Sequence, residues 1–267
     1  MLDLEAGVQL DEVERAVGAE QKLERAGVLV ADRPARTFGR SLHLLARLRI
    51  ERNRGRLLDQ LLVAPLDRAF PFAERACRTI GYENAGTFEF LLGADGTFHF
   101  IELNARLQVE HPVSELVTGI DVVREQLRVA AGEPLTLTGR APRRGHALEI
   151  RLNAEDPARD FAPAPGTITR FRPPLGPGVR IDTHLEEGSA ISPYYDSLIA
   201  KLIVWAEDRP AAIARGVRAL EETELDGVPT TRGLALDILR SAEFAGGEYS
   251  TSFLEEMEGR LPALTVG

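Results

Sequence analysis

The chain has 267 residues and 29.3 kDa, enough for one large domain or two modest ones. With 44% hydrophobic and 27% charged residues it is neither disordered nor fibrous, and no apolar run reaches the roughly 18–20 residues of a membrane-spanning helix. A net charge of -9 excludes nucleic-acid or membrane-surface binding as its main role. The acidic start MLDLEAGVQLDEVER lacks the apolar stretch of a signal peptide. The one cysteine, Cys77, makes neither an internal disulfide nor a zinc cage and suits a reducing compartment. The expectation is a cytoplasmic protein, an enzyme or part of one.

In chain order, the first feature is an inverted repeat visible through the genetic code. Residue i and residue 112 − i admit codons that are reverse complements for every pair from Met1/His111 to Gly39/Ala73, and the relation breaks at Arg40/Phe72. Met1 with His111 (ATG, CAT), Val30 with Tyr82 and Ala35 with Cys77 are examples. The arginines at 40, 47, 49, 52, 54 and 56 have the same origin, because CGN codons are complements of NCG. Antisense translation of a GC-rich gene yields Ala/Arg/Leu/Glu-rich text that imitates amphipathic helices without selection for packing. Residues 1–68 are therefore read as a segment forming no independent domain, with at best loosely attached helices near 10–26 and 41–62.

From Ala69 onward the pattern is that of a selected protein. A helix is predicted at 70–82, then apolar strands at 86–93 and 97–104, joined through Asp95-Gly96, a strong two-residue hairpin signal. A helix is predicted at 113–131, with Pro112 in its first turn and Gly132 at its end. The polar stretch Pro134 to Gly145 reads as a connector. Beyond it come strands near 146–153, 166–172, 178–184 and 198–206, then helices near 209–224 and 230–242. This order gives an α+β class.

A two-residue hairpin turn sets Glu89 directly across from Glu102, with Leu91, Phe98 and Phe100 on the same face excluding water. Facing carboxylates cost energy unless one is protonated or a cation lies between them, and Mg²⁺ prefers such oxygens. A solvated strand face or a different register is the alternative. In an extended segment Glu102, Asn104, Arg106, Gln108 and Glu110 share one side. That set suits a small planar anion held by arginine and glutamine, with Glu110 as base and a metal at the far end; a wet edge strand is the bland reading.

These residues carry a resemblance. FIELNARLQVEHPVSELVTGIDVVREQLRVAAGEPL, with AGTFEF, GHALEIRLNAEDP, PAPGTITR, SPYYDSLIAKLIVWAEDR and DGVPTTRGLALDIL, is similar to the biotin carboxylases, the ATP-grasp component of biotin-dependent carboxylases, over about residues 73–259. Carbamoyl-phosphate synthetases share the E-x-N but not the RLQVEHPV that follows. Ala105 departs from the usual small hydroxyl residue. Decoding 57–68 from the opposite strand permits VQRRHQK and LVEE, which resemble the family's segment upstream of AGTFEF.

The resemblance implies residues 69–135 as part of an ATP-grasp domain and 136–267 as the biotin carboxylase C-terminal domain. It implies Glu89, Glu102 and Asn104 as ligands of Mg²⁺ or Mn²⁺ against ATP, and Leu91 beneath the adenine. Arg106, Gln108 and the Val109 backbone would bind bicarbonate, Glu110 would be the base, and Arg151 would stabilise the biotin enolate. Expected partners are a biotin carboxyl carrier protein or domain, a carboxyltransferase and a second copy. The family's N-terminal domain, glycine-rich lid and ATP-binding lysines are not found in the sequence, so the chain alone is expected to be inactive. A non-catalytic fragment or dimerisation module is the competing reading. His111 is read as structural, Trp205 as core, Tyr194, Tyr195 and Asp196 as core and intersubunit packing residues, and Cys77 as an inert buried thiol.

Overall fold

The computed structural model describes residues 28–31, 36–38, 41–50, 63–92, 98–136, 139–247, 249, 253–257 and 260. Its elements begin with strands β1 (Val28–Ala31), β2 (Arg36–Phe38) and β3 (Ser41–Ile50), and helix α1 (Val63–Ile80). Strands β4 (Gly86–Leu92) and β5 (Phe98–Asn104) follow, then helices α2 (His111–Thr118) and α3 (Val122–Ala130). Next come β6 (Gly139–Arg140), β7 (His146–Asn153), β8 (Glu155–Asp156), β9 (Ala162–Pro163), β10 (Gly166–Thr167) and β11 (Arg170–Arg172). The last strands are β12 (Val179–Thr183), β13 (Ala190–Ile191), β14 (Leu198–Ala206) and β15 (Glu224–Asp226), with helices α4 (Arg209–Glu222) and α5 (Arg232–Arg240) around β15.

Two sheets organise the chain. One is five-stranded, in the order β5-β4-β3-β2-β6, and the other four-stranded, in the order β1-β7-β14-β12. The second is built on the antiparallel pairing of β7 with β14, from Ala206↔His146 to Leu198↔Asn153. Alternation along these strands sends Leu148, Ile150, Leu152, Leu202 and Val204 to one face, where they form the main core with Ala212, Leu220, Leu234 and Ile238 of α4 and α5. The other face carries Ala147 and Ile203, on which Val113 and Val117 of α2 pack. Asp208 caps α4 by accepting from the Ala211 amide at 2.9 Å, and Pro210 suits its first turn. Buried Thr231 accepts from the Asn153 amide at 3.0 Å and donates to the Arg151 carbonyl at 3.1 Å, tying the end of β7 to α5.

Several expectations need correction. Residues 41–50 form a strand, not a helix, and pair in parallel with β4 from Leu44↔Gly86 to Ile50↔Leu92. The free edge of β4 offers unpaired amides and carbonyls, and SLHLLARLRI also alternates with a period of two, so sheet pairing overrides the helix propensity of Leu, Ala and Arg. The helix expected at 10–26, the rest of that at 41–62 and the Asp95-Gly96 turn lie outside the described residues. The single helix expected at 113–131 is two, because Gly119 ends α2 at φ 72° and Asp121 caps α3 through the Arg124 amide at 2.8 Å. Tyr194 and Tyr195 are not core residues; they are 89% and 84% exposed. Cys77 is buried, and burial pushes its thiol up to about 11, which keeps it inert. No described helix is long and apolar enough to cross a membrane.

Gly227 has φ +110°, and a Cβ there would meet the Thr167 carbonyl oxygen at 2.1 Å and the Thr169 amide nitrogen at 2.7 Å. Gly227→Ala should cost about 3 kcal/mol, read as a lowered denaturant midpoint at unchanged m-value. Glu149 on β7 is fully buried, neither carboxylate oxygen has a hydrogen-bond partner, and burial pushes its carboxyl from 4.5 up to about 8. The folded state holds the proton more tightly than the unfolded one, so this group costs nothing below 4.5 and destabilises progressively as pH rises towards about 8. Glu149→Gln should gain on the parent chain across that window, by up to about 1.4 kcal/mol per pH unit, in paired unfolding curves near its two ends.

Candidate functional site

The site begins where β4 and β5 pair. Glu89 stands directly across from Glu102, as the hairpin register predicts, and Thr87 stands across from Asn104. The Asn104 amide nitrogen donates to Glu89 Oε1 at 3.0 Å and to Glu102 Oε1 at 2.7 Å, so one amide bridges the two carboxylates. An amide turned by half a rotation presents its oxygen to the same point. Two carboxylates and an amide oxygen make a hard donor set, suited to a cation that completes its shell with water and phosphate oxygens. Among the described residues no group of three or more His, Cys, Asp or Glu side chains gathers for metal binding, so the set stays at this small size.

Of the shelter expected around this pair, Phe100 does not supply its part. A bulge shifts the register after Glu89, so Phe90 pairs with Phe100 and Leu91 with His99. Phe100 leans on Phe88, with ring centroids 6.0 Å apart, yet remains 58% exposed, and Ile101 is exposed as well. The carboxylate pair is therefore open to water on this side. Leu91 is placed by its backbone in β4.

The polar run after Asn104 is not one extended strand. The ladder ends there, a bend follows at Arg106, and residues 109–110 turn into α2. The His111 amide donates to the Gln108 carbonyl at 3.2 Å and the Val113 amide to the Glu110 carbonyl at 3.1 Å, which pulls the run into a helical turn ahead of Pro112. Arg106 and Gln108 still meet: the guanidinium donates to Gln108 Oε1 at 2.8 Å and to the Leu107 carbonyl at 3.2 Å. Arg106 is exposed while Gln108 is buried. Glu110 is the residue that enters α2, whose positive end favours a carboxylate. His111 Nδ1 lies 3.0 Å from the Gln108 carbonyl oxygen, a structural contact as expected.

A second element meets this run from the far end of the sequence. Lys201 of β14 donates from Nζ to the Val109 carbonyl at 3.0 Å and lies 3.5 Å from Asp182 Oδ2. Sheet register places Asp182, Lys201 and Arg151 in one row across β12, β14 and β7. Arg180 donates to both oxygens of Asp182, at 2.7 and 3.0 Å, and to Glu115 of α2 at 3.0 Å. Burial pulls the Asp182 carboxyl upward, but the bonds from Arg180 and the charge of Lys201 hold it below its ordinary value. Glu149 feels Lys201, Glu110, Arg151 and Asp182, which puts Glu110 and Arg151 in one electrostatic neighbourhood. The Arg151 Nε is buried without a hydrogen-bond partner.

Of the residues picked from the sequence, Glu89, Glu102 and Asn104 are joined by hydrogen bonds, as are Arg106 and Gln108. Val109, Glu110 and Arg151 are gathered around Lys201 and Glu149. Lys201, Glu149 and Asp182 were missed. The available signal was Lys201 itself, the sole charged residue in the strand LIAKLIVWA.

Residues 149–256 match the biotin carboxylase C-terminal domain, and residues 67–138 match the ATP-binding domain of the carbamoyl-phosphate synthase L chain. A biotin carboxylase of Nostoc is 49% identical over 230 residues, covering 84% of this chain and 52% of the relative. The 2-oxoglutarate carboxylase small subunit of Hydrogenobacter thermophilus is 43% identical, covering 82% of this chain and 48% of the relative. Both alignments are longer than residues 69–267 and take in part of the segment before them. The chain thus spans about half the length of the curated relatives it matches. Among solved structures, the biotin carboxylase subunit of a pyruvate carboxylase superposes with a TM-score of 0.71 at 43% identity, covering 76% of this chain and 45% of that one. The biotin carboxylase domain dimer of the Hydrogenobacter 2-oxoglutarate carboxylase, in complex with MgADP, ADP and bicarbonate, gives 0.68 at 44%, covering 72% and 42%. Its α+β architecture and these matches together place the chain in the biotin carboxylase family, of whose ATP-grasp and C-terminal regions it carries a part.

Proposed function

We propose that the chain carries the metal, bicarbonate and base side of an active site for ATP-dependent carboxylation of biotin. The observation that carries this reading is the Asn104 amide bridging Glu89 and Glu102, continuous in sequence with the Arg106–Gln108 pair and Glu110. Arg106, Gln108 and the Val109 backbone hold bicarbonate. Glu110 takes its proton, and the oxyanion attacks the γ-phosphorus of ATP, breaking its bond to the bridging oxygen so that ADP leaves and carboxyphosphate forms; carboxyphosphate then breaks down to CO₂ and phosphate. That phosphate takes the proton of biotin's ureido N–H, and the enolate so formed, which Arg151 stabilises, captures CO₂ at its nitrogen. A bound Mg²⁺ or Mn²⁺ would neutralise phosphoryl charge, and Glu89, Glu102 and Asn104 would hold it. Leu91 would lie beneath the adenine.

The proposed organisation is a partial ATP-grasp domain at 69–135 and the C-terminal domain at 136–267, with 1–68 a segment of inverted-repeat origin. Codon complementarity from Met1/His111 to Gly39/Ala73 supports that last assignment for residues 1–39, while the relatives' alignments reach into the residues between 39 and 69. The proposed partners are a biotin carboxyl carrier, a carboxyltransferase and a second copy, supported by relatives named as carboxylase subunits and by a solved domain dimer. Composition and the single cysteine support a cytoplasmic setting.

The span of about half the relatives' length favours a second reading, a non-catalytic module, for the 267 residues taken alone. Phosphoryl transfer depends on positioning and charge neutralisation from both sides of the nucleotide. The purified chain should therefore release no ADP in response to bicarbonate and biotin above a Glu110→Gln control; a biotin-dependent rate that vanishes in that control would reject the second reading. In an enzyme joining this segment to a complete nucleotide-binding lobe, Glu110→Gln should cut bicarbonate-dependent ATP cleavage by about 10²-fold or more and leave ATP binding intact. Arg151→Ala should spare that cleavage and lower carboxylation of biotin. Near-normal carboxylation in both variants would contradict the assigned roles.

A further inference from the structure

The residues assigned to bicarbonate and to the base lie on a stretch that has left the sheet. After Asn104 no ladder hydrogen bonds hold residues 105–110, so their geometry depends on contacts from other elements. Lys201 supplies such a contact across ninety-two residues of sequence, with Nζ 3.0 Å from the Val109 carbonyl oxygen. That carbonyl belongs to the peptide joining Val109 to Glu110, and fixing it fixes the plane from which the Glu110 side chain departs.

The placement is costly. The Lys201 side chain is 12% exposed and sits in sheet register beside Arg151, another cation. A buried ammonium next to a guanidinium is unfavourable unless acids offset it. Asp182 lies 3.5 Å away in the same row, and Glu149 projects from the same face of β7. On the same face of β14 the next positions are Ile203 and Trp205, which pack with α2 through apolar contacts. An apolar residue at 201 would extend that packing. The charge is accounted for instead by what it touches, the bicarbonate-site backbone on one side and the Arg151 row on the other.

We propose, on the biotin carboxylase reading of residues 106–110, that Lys201 is a positioning residue whose ammonium locks the Val109–Glu110 peptide, holding the bicarbonate-binding backbone and the base in fixed relation to Arg151. The C-terminal sheet is then the platform on which the motif of the preceding domain is aligned.

The test uses the full 267-residue chain with Lys201→Met, Lys201→Gln and Lys201→Arg, titrated with ¹³C-bicarbonate. Three quantities are read: the ¹³C resonance of the Val109 carbonyl, the bicarbonate affinity from the Gln108 and Val109 amides, and the thermal midpoint. The Met and Gln variants should shift the carbonyl resonance and weaken bicarbonate binding about tenfold, the loss of one charge-assisted hydrogen bond, while Arg restores most of the affinity. Bicarbonate binding by Met or Gln equal to the parent's would overturn the proposal and leave the site reading standing. Equal losses in all three variants, tracking the thermal midpoint, would show a purely structural lysine and overturn it too. If Met does not fold, Gln alone decides. A parent chain that binds no bicarbonate would remove the site reading itself, and the proposal with it.

Discussion

The antiparallel ladder between β7 and β14 is the constraint on which the rest of the described structure depends. Because side chains alternate across it, a single register decides both what forms the core and what meets α2. Leu148, Ile150, Leu152, Leu202 and Val204 go to α4 and α5. On the reverse face the apolar end, Ala147 and Ile203, seats α2, and the charged end, Arg151 and Lys201, lies under the residues that lead into α2. A slip of one residue would bury Arg151 and Lys201 in the core and turn the leucines out. Thr231 guards that register at the end of β7 by bonding to the backbone on both sides of Leu152.

Electrostatics explain why so polar a patch survives beside a core. Charges removed from water need partners of opposite sign and good geometry. Asp182 takes two bonds from Arg180 and faces Lys201, which keeps it ionised, whereas Glu149 has no such bond and is driven towards its neutral form. At the other end of the site, Glu89 and Glu102 face one another across β4 and β5, and the Asn104 amide lies between them. Two hydrogen bonds from one amide offset part of the carboxylates' repulsion, and an amide turned by half a rotation would present its oxygen to a cation at the same point.

Much of this was legible in the sequence, for identifiable reasons. The Glu89–Glu102 pairing was expected from a two-residue turn and is met even though the pairs nearer the turn are shifted by one residue; the strand at 146–153 was legible in its alternation of Leu148, Ile150 and Leu152 with Glu149 and Arg151, and that at 198–206 in its long apolar run. What escaped was decided by tertiary competition. The bulge after Glu89 has no local signature in TFHFIELN, so Phe100 pairs with Phe90 instead of the expected Leu91. The extended reading of 102–110 failed because the turn before Pro112 draws Gln108 and Glu110 into helical hydrogen bonds. Strand β3 replaced an expected helix because the open edge of β4 rewards any alternating segment. Lys201 escaped because its meaning depends on a contact with Val109 that no local pattern encodes.

On the proposed function, Glu89, Glu102 and Asn104 hold a hard divalent ion at the head of the run that leads through Arg106 to Glu110. Paramagnetic broadening by substoichiometric Mn²⁺ in the ¹⁵N spectrum of the intact chain tests it most directly. The prediction is broadening centred on residues 87–89 and 102–104, falling off along 106–110, and lost in Glu102→Gln. Broadening centred elsewhere, or unchanged by that substitution, would contradict the claim.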